Sequence, residues 1–173
     1  MGENQPKTGK FALNYGIILG AVSIAFGVIL YSMDMHYEQS WPVIIIGVIL
    51  MIAVVVWATI EFKKANSGLL ILSDALKLGA GIGLISAILS LVYYAILTNV
   101  IEPDFMDKAM DIAKVKAFAD NPKLTEEQWA QGVEIQKSFA WIAYPFQLII
   151  SIIMGLIIGL ITGLVMKKQK ATL

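Results

Sequence analysis

Four stretches of the chain carry no charged side chain, and they set its architecture. They run from Phe11 to Met33, Pro42 to Ile60, Leu78 to Ile101 and Ser138 to Met166. Charges close them off: Lys10 and Asp34, Glu61, Lys77 and Glu102, Lys137 and Lys167. Crossing the hydrocarbon core of a bilayer takes about 20 apolar residues at a rise of ~1.5 Å each. A charge at mid-membrane costs about 2.5–3.5 kcal/mol on insertion scales. Four uninterrupted apolar runs of this length therefore predict four transmembrane helices. The last run is too long for one straight span, so its start is set at Pro145, because proline fits the first turn of a helix and ends what precedes it. The predicted spans are 11–33, 42–60, 78–101 and 145–166. Ser138–Tyr144, with Phe139, Trp141, Tyr144 and Phe146 in or beside it, suits the headgroup belt. The first run is longer than a signal-peptide core and its small residues fall in mid-span, which predicts a retained helix.

Between the third and fourth spans, residues 102–144 switch to helical periodicity with charge. After Pro103, Phe105, Met106, Ala109, Met110, Ile112, Ala113 and Ala117 share one face, and Asp104, Asp107, Lys108, Asp111 and Lys114 the other. Asn121-Pro122 makes a turn. Thr125-Glu126-Glu127-Gln128 then reads as a capping box that opens a second helix carrying Trp129, Val133 and Gln136 on one side. The expected fold is all-α: a polytopic membrane protein of four transmembrane helices, with two amphipathic helices in the outer loop between spans three and four. Residues 1–10 and the lysine-rich 167–173 flank this membrane domain. Between spans two and three, Leu69–Lys77 reads as an interfacial elbow in which Asp74 and Lys77 can pair.

Composition agrees with this picture, since 58% of the 173 residues are hydrophobic and only 15% charged, against about 25% charged in soluble domains. The absence of cysteine excludes a disulfide scaffold, and a net charge of zero argues against a nucleic-acid partner. That zero hides a polarity. Lys7 and Lys10, Lys63, Lys64 and Lys77, and Lys167, Lys168 and Lys170 fall on one side, with only Glu3, Glu61 and Asp74. The other side holds five lysines and ten acids. Cytoplasmic segments carry the lysine excess, which predicts that both termini are cytoplasmic.

In lipid, helices associate largely through small residues that let backbones approach. Ser151, Gly155, Gly159 and Gly163 recur every four residues in span four; Gly16 and Gly20 do so in span one, and Gly79 and Gly83 in span three. These are the expected helix-packing residues, either within the bundle or in self-association. A shift of 63 residues aligns Gly16 with Gly79, Gly20 with Gly83 and Tyr31 with Tyr94, and suggests two parallel helical hairpins as an internal repeat.

Chemistry is sparse. Asp34, His36 and Glu38 share one loop, but no second histidine or any cysteine completes a usual zinc set, so a solvated loop is the expectation. Gly79-Ala80-Gly81-Ile82-Gly83 lies in an apolar run rather than after a strand, which excludes a phosphate loop. The spans hold only neutral polar groups, among them Asn14, Ser86, Ser90, Gln147 and Thr162, suited to hydrogen bonds between helices. Neither an enzyme nor a cofactor is expected.

Three segments together resemble the domain of unknown function family 4199. They are Asn14-Tyr15-Gly16-Ile17-Ile18-Leu19-Gly20, Leu72-Ser73-Asp74-Ala75-Leu76-Lys77-Leu78-Gly79 and Ile101-Glu102-Pro103-Asp104-Phe105; the glycine-rich last helix with its lysine tail also fits. The resemblance implies a small four-span protein of a bacterial inner membrane and transfers no activity, ligand or catalytic residue. This chain departs from the family's usual Phe-Gly-Glu elbow, carrying Ser73-Asp74 there. The expected function is that of an accessory or interaction subunit in contact with the bilayer and a membrane-protein partner. The alternative is a small channel or transporter formed by a homo-oligomer.

Overall fold

The structure, a computed structural model, describes residues 6–37 and 40–168. Glu3, Glu38 and Lys170, which enter the charge pattern above, lie outside the described residues. The order of elements is α1 (Thr8–Ser32), α2 (Trp41–Ala65), α3 (Leu72–Ile96), α4 (Phe105–Asp120), α5 (Glu126–Phe139) and α6 (Ala143–Met166). Helices α1, α2, α3 and α6 are long and apolar enough to cross a bilayer. Helix α3 starts six residues before the predicted span, so Asp74 sits in its first turn and the elbow shrinks to Asn66–Ile71. Asp74 and Lys77 form no ion pair there. Pro42 and Pro145 both fall within first turns, where the missing N–H has no helical partner to lose.

Helix α3 is the hub. Gly16, Gly20 and Gly27 of α1 approach Ile85, Leu89 and Tyr93 in turn, so α1 and α3 run parallel. Against α6 the pairs descend, with Gly83 beside Ser151, Gly79 beside Gly155 and Ala75 beside Gly159, so those two helices are antiparallel. Backbone meets backbone along this seam: a β-carbon on Gly159 would lie 2.5 Å from the Ala75 carbonyl oxygen, and one on Gly163 2.8 Å from the Ala75 β-carbon. Hydrogen at these positions is what lets the helices close. Gly16 and Gly20 face α3, whereas Gly79 and Gly83 face α6, so glycines 63 residues apart have different neighbours.

Burial is concentrated at the end that carries the termini. Val55, Ala58, Leu78 and Ile82 are fully enclosed there, and Phe62 packs with Leu70 and Ala75. The chain ends are tied in as well. Leu70 and Lys168 exchange two backbone hydrogen bonds of 2.9 Å, and the Lys63 ammonium donates to the Met166 carbonyl at 2.7 Å. That cation at a helix C-terminus also suits the dipole. Toward the opposite, loop end α2 and α6 lose this cover: no side chain of α2 before Val54, and none of α6 before Gly155, is buried. The enclosed hydroxyls of Thr59, Thr162 and Ser86 bond to carbonyls of their own helices (Val55, Ile158 and Gly83), not across the bundle as expected. A hydroxyl one turn from a carbonyl reaches it without any neighbour having to be in register.

Candidate functional site

At the loop end α3 loosens into a π turn, Leu97–Ile101, closed by the Glu102 N–H on the Leu97 carbonyl at 2.8 Å. The hydroxyl of Thr98 and the amide of Asn99 donate to the Tyr94 and Ala95 carbonyls at 2.9 and 2.8 Å. Pro103 bars helical geometry at the residue before it, and Glu102 turns out to φ −140° and ψ 78°. The wide turn and the proline together swing this carboxylate off the helix and under the neighbouring loop.

That loop arrives by a second device. Asp34 adopts a left-handed φ of 54°, the Met35 N–H reaches the Leu30 carbonyl at 2.9 Å, and the Asp34 N–H reaches that of Tyr31 at 3.1 Å. This is a Schellman ending, with aspartate where glycine is usual. It folds His36 and Tyr37 back onto Glu102. The His36 Nε2 lies 2.9 Å from Glu102 Oε2, the Tyr37 hydroxyl donates to Oε1, and the Lys108 ammonium donates to Oε1 at 2.8 Å. Lys108 also pairs with Asp104 at 3.0 Å. Glu102 and Phe105 are both buried, and the Phe105 ring packs on His36, Tyr37 and Tyr94 at 5.6–5.8 Å between centroids.

The electrostatics follow from these bonds. Lys108, then Tyr37 and His36, hold the Glu102 carboxyl down to about 2. The Glu102 bond raises the Tyr37 phenol above its ordinary range, and Glu102 and Asp104 raise the Lys108 ammonium. With Glu102 anionic, the His36 Nε2 carries the proton that it donates. The His36 Nδ1 is buried without a hydrogen-bond partner. A carboxylate this acidic and this fully bonded is a weak general base. The cluster is a clasp joining the α1–α2 loop to the start of α4.

Beyond the Phe105–Tyr94 contact lies a cavity of about 690 Å³, a size typical of small-molecule sites. Gly27 and Leu30 of α1 and Ser90 and Leu91 of α3 form its floor, and Tyr144 and Gln147 of α6 form one wall. Helices α4 and α5 roof it. They are joined by the Lys114–Glu126 ion pair at 2.7 Å and by Phe118 against Trp129. Lys114 thus pairs with Glu126 across the turn, not with Asp111 on its own helix. The Thr125 capping box is formed: the Gln128 N–H donates to the Thr125 hydroxyl at 3.2 Å, and the Thr125 N–H donates to the Gln128 Oε1 at 3.1 Å.

Of the residues singled out in the sequence, Gly79, Gly83, Ser151, Gly155, Gly159 and Gly163 meet along the α3–α6 seam, and Gly16 and Gly20 line the α1–α3 seam. His36 is not in a solvated loop: its side chain is 6% exposed. Sequence reasoning missed the Glu102 cluster. Its traces were a carboxylate directly after a span and before a proline, and a histidine-tyrosine pair in a short loop. Among the described residues no group of three His, Cys, Asp or Glu side chains converges as a metal site.

A four-helix bundle with a membrane-like surface, tight at one end and opened around a roofed cavity at the other, defines a membrane-type helical-bundle protein. The chain belongs to the family of proteins of unknown function DUF4199, whose model matches residues 14–168. No curated protein and no solved structure matches it.

Proposed function

We propose that the protein is a multi-pass protein of the bacterial inner membrane, with both termini cytoplasmic, that serves as an accessory subunit by presenting α4 and α5 to a membrane-protein partner. The observation that carries this reading is the state of α5. It is a capped helix of 14 residues with no buried side chain, and helices of that length are marginal in water on their own. Ile135 and Trp141 expose apolar surface near and beyond its end, at 61% and 66%. A helix so placed calls for a surface to lie against, while the Glu102 clasp fixes the base from which the pair projects. The lysine excess at the terminal end supports the orientation, and the glycine seam is already occupied within the chain.

The test is photo-crosslinking from Ile135 in native membranes, followed by affinity isolation and intact mass of the complex. One stoichiometric protein adduct supports the subunit role; adducts with lipid alone overturn it. The alternative, a homo-oligomeric channel or transporter, requires Asn14, Gln147 and the serines on one axis. Ser90 and Gln147 do share the cavity, but Asn14 is exposed in the terminal half of α1. A crosslink to a second copy of this chain would favour that alternative.

A further inference from the structure

The loop-end cavity combines three features that a simple packing gap does not. It is a partly open groove of about 690 Å³ between α1, α3, α6 and the α4–α5 pair, a size that small-molecule sites share. Its lining is largely apolar, with Leu30 and Leu91 on the floor and Met106, Met110 and Phe139 on the roof. Its roof supplies two opposite charges, Asp107 from α4 and Lys137 from α5. Among the described residues neither makes an ion pair or hydrogen bond, whereas Glu102, Asp104 and Lys108 beside Asp107 pair with one another. Along the chain, Asp107 follows α3 and its π turn, and Lys137 precedes α6, so each stands where a long apolar run meets charge.

We propose that this cavity binds one zwitterionic phospholipid of the phosphoethanolamine type. An acyl chain lies among the five apolar side chains, the phosphate faces the Lys137 ammonium, and the lipid ammonium faces the Asp107 carboxylate. Tyr144 and Gln147 offer donors to the glycerol esters below. A head with a single negative charge satisfies Lys137 and leaves Asp107 facing an anion, so the paired charges select the zwitterion. The site rests on placement in a bilayer and is independent of any protein partner.

The test uses the full chain, purified in detergent and freed of lipid. It is titrated with phosphatidylethanolamine or phosphatidylglycerol of identical chains, and bound lipid is counted by native mass spectrometry. One phosphatidylethanolamine per chain is expected, bound about fivefold more tightly than phosphatidylglycerol, as one exposed charge pair allows. Asp107→Ala removes that preference, and Lys137→Ala weakens both lipids. Ala143→Phe, which narrows the cavity, lowers occupancy of either; if it fails to fold, the preference lost in Asp107→Ala remains the deciding readout. Equal affinity for the two lipids, unsaturable binding, or a preference unchanged in Asp107→Ala overturns the site. Release of the chain from membranes by an alkaline wash would instead defeat the bilayer placement.

Discussion

The Nε2 of His36 lies 2.9 Å from a carboxylate oxygen of Glu102, 66 residues further along the chain. This contact joins the first interhelical loop to the exit of α3, and Tyr37 and Lys108 bind the same carboxylate from the loop and from α4. Three segments that share no seam of packed helix are held by one anion. Its place is secured by a proline, a π turn and a left-handed aspartate.

Replacing Glu102 by Gln keeps the shape but removes the anion and offers an amide group to donors that need acceptors. Lys108 loses its buried partner, and the α1–α2 loop loses its anchor. Amide exchange is expected to rise at Met35–Tyr37 and over the first turn of α4, with the α3–α6 seam unchanged. Lys108→Ala should have the smaller effect, because His36 and Tyr37 still bind the carboxylate. Equal protection of the loop in wild type and Glu102→Gln would count against the clasp.

The pH dependence follows from the directions of the shifts. Glu102 is depressed from 4.5 to about 2, so its contribution is complete above 4.5 and is lost as pH falls toward 2. Tyr37 and Lys108 are raised from 10.0 and 10.5, so their contributions are complete below those values and fade as pH rises through the shifted ones. Loop protection should therefore fall as pH drops from about 4.5 toward 2, and fall again as it rises past the ordinary range of the Tyr37 phenol. Exchange measured in detergent at the acid and alkaline ends tests it; protection unchanged down to about pH 2 would count against the Glu102 anion as the anchor.

The long helices were legible because a bilayer punishes charge, and each apolar run ends at a lysine or carboxylate. The capping box at Thr125 was legible because it is local. The clasp was not, because its donors come from positions 36, 37 and 108 and nothing in their spacing links them. Glu102 read as the first charge past a span, a boundary mark rather than a centre. The glycine pattern announced close approach without naming the partner, since a four-residue stripe looks the same whether it meets α3 or a second copy.

That seam separates two kinds of glycine. A β-carbon on Gly155 would collide with the Gly79 backbone, so Gly155→Ala must force α3 and α6 apart, at about 1–3 kcal/mol by analogy with overpacked cores. Gly132, inside α5, has nothing within 4 Å of such an atom. There Gly132→Ala gains helix propensity and should stabilise α5 by about 0.5–1 kcal/mol. Thermal unfolding in detergent reads the first and amide exchange in α5 the second. A seam variant that changed oligomer size but not stability would place the glycine face between chains.

Ser67 offers a gain at the terminal end. It ends α2 with a φ of 55°, and the Gly68 N–H that follows caps the Lys63 carbonyl at 2.8 Å. A left-handed backbone costs an L-residue about 1–2 kcal/mol, and glycine nothing. The Ser67 side chain is exposed and makes no hydrogen bond, so Ser67→Gly gives up little packing. Some of the gain is offset because glycine also frees the unfolded chain. The expected net is a stabilisation of up to about 1 kcal/mol. Gly68→Ala, at a φ of 78°, should move the other way by about the same amount. The pair is best measured together as shifts in thermal midpoint. Opposite signs at adjacent residues establish that the α2 terminus is set by backbone handedness; a loss in both would mean that the Ser67 side chain holds the turn.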